Sequence, residues 1–365
     1  MTDDQYIGMP VHELDTPALV IDLDVMEDNI ARMAAYFTGI DADLRPHIKT
    51  HKCPIIAHKQ IAAGSTGITC SKLGEAEVMV QAGIKDILIA NEIVGARKIR
   101  RLVDLARQAE LMVAVDDAQN IEDLSEAVRV AGVRLGVLVD VNVGMNRCGA
   151  DPGKPALELA RKVQEAHGLT FMGLMGYEGH VVGLASAEER SRKGREAMKL
   201  LMDTKDLIER SGLVVQIVSS GGTGTYNISG PYPGVTEIQA GSYIFMDAHY
   251  RETGIEFGCA LSLLATIMSL HLPDRIITDA GIKTISADFG FPVVKGREEL
   301  EVIGLNEEHG KIRTKTGKCS LKIGDKIELI PGHGCTTINL HDRYFAVRKG
   351  KVEAVYPILA RGKSS

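Results

Sequence analysis

A closed (β/α)8 barrel followed by a separate all-β domain is the α/β fold that the sequence predicts, and three observations carry it. From about Thr16 to Phe245, short apolar runs alternate with amphipathic segments. The runs are nearly continuous in aliphatic and β-branched residues, as in strands buried on both faces of a parallel sheet. Roughly eight such units over about 230 residues suit a closed barrel. Beyond about residue 250 the helical period stops and alternating runs with turn signals replace it. An open doubly wound sheet is the other α/β solution, but no G-x-G-x-x-G opens the first unit.

The strand-like runs come in order as Ala18–Ile21, Gly67–Cys70, Ile87–Ala90, Leu111–Val115, Leu135–Val139, Phe171–Met175 and Val214–Val218. Helical spacing covers Asp24–Tyr36, Gly74–Ala82, Ala96–Gln108, Ala118–Ala131, Pro155–Ala166 and Ala187–Arg210. In the last third, Ser320–Leu329 alternates, and Tyr344–Val355 reads as a hairpin turning at Lys349-Gly350. The expected boundaries are 15–250 for the barrel and 251–365 for the β domain, with residues 1–14 packed against the latter.

The chain has 365 residues, 45% hydrophobic and 25% charged, with a net charge of −6. That composition is globular and gives no basic footprint for nucleic acid. No apolar run reaches the length of a membrane span, and Met1-Thr2-Asp3-Asp4 lacks the layout of a signal peptide. Cys53, Cys70, Cys148, Cys259, Cys319 and Cys335 show no C-x-x-C spacing and read as reduced thiols. A cytoplasmic protein is expected.

In a parallel barrel, chemistry gathers where strands end and βα loops begin. Arg45-Pro46-His47-Ile48-Lys49-Thr50-His51-Lys52 follows a short predicted strand and crowds three cations with two histidines. Like charges and a barrel interior ease deprotonation of Lys49, and a neutral amine is the nucleophile that makes a Schiff base. A basic surface turn would have the same composition. Arg147 follows the strand at Leu135–Val141, and Tyr177 and His180 follow the one ending near Met175. Ser219-Ser220-Gly221-Gly222-Thr223-Gly224-Thr225 places small residues and hydroxyls after another strand, where backbone N–H groups can close on a phosphate. Gln239-Ala240-Gly241-Ser242-Tyr243 can add amides to the same anion. One lysine and one phosphate cradle in one barrel point to pyridoxal 5′-phosphate (PLP).

His333-Gly334-Cys335 is the remaining constellation. In an extended segment, residues two apart share a face, so the imidazole and thiolate can reach one ion. Two protein ligands leave positions open for water or a substrate hydroxyl, and sulfur favours Zn²⁺ over Mg²⁺. A turn histidine beside a packed cysteine is the plainer reading. His12, His58, His167, His271 and His309 carry no pattern of this kind.

At these residues the chain resembles the fold-type III PLP enzymes with an alanine-racemase-like barrel, in the branch of D-threonine aldolases, D-3-hydroxyaspartate aldolases and D-serine dehydratases. The resemblance runs from Asp15–Asp24 through Arg45–Lys52, Asn146–Gly149, Ser220–Thr225, Gln239–Asp247, Asp279–Lys283 and Glu307–Gly310 to His333–Asp342. It implies that Lys49 carries the cofactor as a Schiff base and that Arg147 bonds its phenolic oxygen, with Tyr177 in the same set. Gly222, Thr223, Gly241 and Ser242 would hold the phosphate, and Gln239 would face the pyridine nitrogen. An uncharged amide cannot keep that nitrogen fully protonated, so the ring is a weaker electron sink than one with an aspartate partner. His333 and Cys335 match the metal pair, which would take Zn²⁺, Mn²⁺ or Mg²⁺. The family commonly forms head-to-tail homodimers.

Two departures stand out. The aldolases of this branch usually carry His-x-Asp as the metal pair, whereas His-x-Cys is typical of the dehydratases. Those aldolases also place a histidine six residues after the tyrosine matched by Tyr177, where this chain has Gly183. His180, three residues on from Tyr177, is the expected substitute base, with the amine of Lys49 as the other candidate. The expected activity is a PLP- and metal-dependent lyase acting on D-3-hydroxy amino acids, foremost retro-aldol cleavage of D-threonine-type substrates. The alternatives are a D-serine or D-3-hydroxyaspartate dehydratase, an amino acid racemase, and a non-catalytic PLP carrier.

Overall fold

The computed structural model describes residues 3–271 and 275–365. They form two compact units, one of Met33–Gly241 with Gly362–Ser365 and one of Met1–Arg32 with Ser242–Arg361.

The first strand, β1 (Ala18–Asp22), lies in the second unit. Its residues pair antiparallel with Leu261–Leu264 and parallel with Phe345–Val347. In sequence this run reads as the first barrel strand, and the pairing corrects that reading. A continuous apolar run marks a strand buried on both faces, and nothing local to it says in which sheet. Residues 15–32 and 242–250, placed with the barrel from sequence, likewise belong to the second unit.

The barrel unit contains β2 (Asp43–Leu44), β3 (Ile68–Cys70), β4 (Asp86–Glu92), β5 (Glu110–Val115), β6 (Leu135–Asp140), β7 (Leu169–Gly176), β8 (Ile217–Ser220) and β9 (Glu237–Ile238). All pairings are parallel, in the order β2-β9-β8-β7-β6-β5-β4-β3. A parallel bridge between His47 and Thr69 joins the two ends of this eight-stranded sheet. The Ile48 N–H donates to Thr69 O at 2.8 Å and the Thr69 N–H to Pro46 O at 2.9 Å. Leu88, Ala114, Leu138 and Met175, one from each of β4 to β7, pack together as a core cluster. Helices return the chain between strands, and their ends follow local chemistry. The Asp117 side chain accepts from Asn120 N at the start of Ala118–Ala131, and Ser186 accepts from Glu189 N at the start of Ala187–Arg210.

The second unit adds β10 (Leu261–His271), β11 (Arg275–Thr278), β12 (Val293–Val294), β13 (Leu300–Leu305), β14 (Gly310–Thr314), β15 (Lys326–Ile330), β16 (Arg343–Arg348) and β17 (Lys351–Pro357). They run in the order β13-β14-β11-β10-β1-β16-β17, with β15 paired to β10 and β12. Leu14, Ala18, Val20, Leu264, Val347 and Val352 form a core cluster that Tyr6, Met9 and Val11 also pack against. The alternating run Ser320–Leu329 yields only β15, because Ser320–Gly324 lies outside any strand. No helix among the described residues is long and apolar enough to cross a membrane.

Candidate active site

Lys49 stands in the turn that follows the bridge closing the barrel. Its flanking charges are matched, contrary to the crowding read from the octapeptide. The buried Arg45 guanidinium bonds Glu237 at 2.8 Å and Asp86 at 2.6 Å. Burial alone would lower its pKa, but Glu237 and Asp86 outweigh that and hold it above the ordinary value. Lys52 reaches the fully buried Glu75 at 2.6 Å. The two histidines are neutral. Burial, then the charge of Lys49, takes His47 well below its usual range, and burial takes His51 down to about 3.

Lys49 is half-buried, and its Nζ lies 5.8 Å from the centroid of the Tyr177 ring. The Arg147 guanidinium carbon lies 6.0 Å from the same centroid. Residues some 100 positions apart thus meet at one aromatic ring, because β2, β6 and β7 all end on the same face of a parallel barrel. The residue after Tyr177 escaped the sequence reading. Glu178 is fully buried and accepts from Ser220 Oγ at 3.0 Å, Gly221 N at 3.2 Å and Ser229 Oγ at 2.5 Å. It ties the glycine-rich loop to the end of β7. A buried carboxylate beside serines and a glycine amide is the available sequence signal, but the contacts span over 40 positions.

Close packing requires glycine at two positions near this site. A Cβ on Gly222 would come within 3.2 Å of Tyr177 Cε2, and one on Gly241 within 2.5 Å of the His47 carbonyl oxygen and 3.1 Å of Thr50 Oγ1. Thr223, the residue after Gly222, is buried, and Gln239 donates through Nε2 to Ser219 Oγ at 2.8 Å. A close-packed turn of small residues at the ends of parallel strands fits a phosphate held by backbone N–H groups. Ser242 opens a 3-10 turn in the second unit.

His180 is exposed and lies against Gly144 on the β6 loop, where a Cβ would be 3.0 Å from its Cε1 and Nε2. Near Arg147 is an acidic set at the ends of β4, β5 and β6. Ligand atoms of Glu92, Asp116 and Cys148 lie within 4.8 Å of one another. Burial, then Glu92 and Asp116, push the Asp140 carboxyl up to about 7, with Arg147 opposing.

In the second unit, the sequence expectation of an extended His333-Gly334-Cys335 is corrected. His333 is the N-cap of the short helix Gly334–Ile338, which puts Cys335 in its first turn. His333 and Cys335 nevertheless meet. Burial would lower the imidazole, but Cys335 and then Asp288 hold it up at about 9. Nitrogen with sulfur is a zinc-type donor set. Asp247, unnoticed in the sequence, accepts from Gly334 N at 3.0 Å and Tyr250 N at 2.9 Å, so it anchors the helix that carries the pair.

Residues 21–249 match the alanine racemase N-terminal domain and residues 260–347 a putative serine dehydratase domain. The chain therefore belongs to the fold-type III PLP family whose members join these two modules, and that membership implies PLP as cofactor. Among curated proteins it is 41% identical to D-threonine aldolase from Arthrobacter sp., over 98% of this chain and 95% of that protein. It is 40% identical to 3-hydroxy-D-aspartate aldolase from Paracoccus denitrificans, over 98% and 94%. D-threo-3-hydroxyaspartate dehydratase from Delftia sp. is more distant, at 32% over 89% and 92%. The crystal structure of D-threonine aldolase from Filomicrobium marinum superposes with a TM-score of 0.96 at 39% identity, covering 98% of each chain. These relatives are carbon–carbon and carbon–oxygen lyases, and this chain is a lyase of the same kind.

Proposed function

We propose that the protein cleaves D-3-hydroxy amino acids by a retro-aldol reaction, converting D-threonine-type substrates to glycine and an aldehyde. The observation that carries this reading is the meeting of Lys49 and Arg147 at the Tyr177 ring, beside a glycine cradle. The preference for an aldolase comes from the likeness to two aldolases at 40% identity or above.

Lys49 would hold PLP covalently, with Arg147 and Tyr177 at its ring, Gln239 at its pyridine nitrogen, and Gly222, Thr223, Gly241 and Ser242 at its phosphate. When bound, the cofactor supplies the sink for the electron pair released at Cα. His333 and Cys335 would hold a divalent cation, Zn²⁺, Mn²⁺ or Mg²⁺, which supplies Lewis acidity for the β-hydroxyl. His180, or the amine of Lys49, would take the hydroxyl proton as the Cα–Cβ bond breaks, and a proton returned to Cα would complete glycine. Gln239 is uncharged and would not keep the pyridine nitrogen fully protonated, which would place more of the work on the cation. A head-to-tail homodimer in the cytoplasm is the assembly and location we propose.

One residue favours a second reading. Cys335 stands where the family's aldolases carry a carboxylate, and a dehydratase would expel the β-hydroxyl to give a keto acid and ammonia. The two separate in one assay. Protein loaded with PLP and Zn²⁺ or Mn²⁺ is given D-threonine, D-serine and D-3-hydroxyaspartate, and products are identified. Glycine with aldehyde is the expected result, and keto acid with ammonia and no glycine would replace the aldolase reading.

A further inference from the structure

In the second unit, the Asp288 Oδ2 atom lies 2.7 Å from His333 Nδ1. A carboxylate only accepts, so Nδ1 carries the hydrogen. The other oxygen, Oδ1, is itself held, accepting from Ser286 Oγ at 2.6 Å and Thr336 Oγ1 at 3.0 Å. Phe289, the next residue, stacks on the imidazole with centroids 4.2 Å apart and planes 6° from parallel. His249 tilts against the same phenyl ring at 5.1 Å. At its other end, the His333 carbonyl accepts from Thr337 Oγ1 at 2.9 Å. The imidazole is thus fixed in plane by Phe289, in rotation by Asp288, and in main-chain position by the helix it caps.

We propose that Asp288 is a positioning residue that holds His333 with its proton on Nδ1, so that Nε2 faces a divalent cation together with Cys335. This inference rests on reading His333 and Cys335 as the metal pair. A histidine that donates its second N–H to a carboxylate is fixed in tautomer and made a better donor to the metal. Loss of such a partner typically weakens metal binding about 10–100-fold. Nothing in the segment Ser286-Ala287-Asp288-Phe289 marks this role in sequence, since it lies 45 positions before the histidine it serves.

Zn²⁺ affinity, measured on the PLP-loaded full chain by competition with a chromophoric chelator, tests it in the parent and in Asp288→Ala, Asp288→Asn, His333→Ala and Cys335→Ala. Asp288→Ala should weaken Zn²⁺ about 10–100-fold. Asp288→Asn, which keeps an acceptor, should stay nearer the parent. If His333→Ala and Cys335→Ala weaken Zn²⁺ while Asp288→Ala stays within about twofold, the positioning role is wrong and the metal pair stands. If His333→Ala and Cys335→Ala leave the affinity unchanged, the metal pair itself is wrong. Should Asp288→Ala fail to fold, ¹⁵N shifts of labelled histidine in the Zn²⁺-loaded parent decide alone. Metal on Nε2 with the proton on Nδ1 supports the proposal, and metal on Nδ1 overturns it.

Discussion

At position 241 a hydrogen is the largest side chain that the packing admits. The backbone there needs no unusual φ, so the demand is steric: a methyl would press on the His47 carbonyl at 2.5 Å and Thr50 Oγ1 at 3.1 Å. Gly241→Ala should lower stability by about 1–3 kcal/mol, the usual cost of overpacking. It should also weaken retention of PLP, measured by equilibrium dialysis. Gly39→Ala, whose new methyl would meet only Tyr36 O at 3.7 Å, is the control. Parental melting and cofactor affinity in Gly241→Ala would remove the cradle from the site. Lys49, the small-residue loop and the His333/Cys335 pair were legible as residue types in a pattern. Glu178, Asp247 and Asp288 were not, because a carboxylate's partners are set by folding and lie tens of positions away.

At the scale of elements, the hairpin of β16 and β17 shows a turn that the sequence announces. Arg348 pairs with Lys351, which leaves Lys349 and Gly350 as a two-residue loop with φ of 50° and 74°. Both angles are left-handed, the requirement of a type I′ turn. Lysine is strained there, and asparagine tolerates the conformation better. Lys349→Asn should therefore raise stability by about 0.5–1 kcal/mol with turnover unchanged. A fall in melting temperature would contradict the turn geometry. Strands β4 to β7 were equally legible, being long enough to show an apolar run. Strands β2 and β9 have two residues each, too few for any period, and exist only through their neighbours.

At the scale of the barrel, the ends of β4, β5 and β6 bring Glu92, Asp116 and Asp140 together around Arg147. The Asp140 carboxyl sits at about 7 against an ordinary 3.8. Between those values the native state keeps a proton that the unfolded chain has released. The unfolded state binds fewer protons there, so this group's contribution falls as pH rises from about 4 to about 7. Asp140→Asn cannot ionise and should gain about 2–4 kcal/mol over the parent at pH 8, with little gain at pH 4. Paired denaturation curves at the two pH values check this, and an equal difference at both would show that Asp140 ionises normally.

The amino-acid sequence alone determined that the chain makes a parallel barrel and an antiparallel module, that a lysine lies in a basic run early in the barrel, and that a glycine-rich loop follows a late strand. Those features are local: period, run length and turn chemistry act over a few residues. Tertiary structure decided what is non-local. It took β1 into the second unit's sheet, matched Arg45 and Lys52 with acids, and set Lys49 and Arg147 on one tyrosine ring. Strand partners and ion pairs are chosen by closing long loops, and no short window of sequence contains both ends of such a choice.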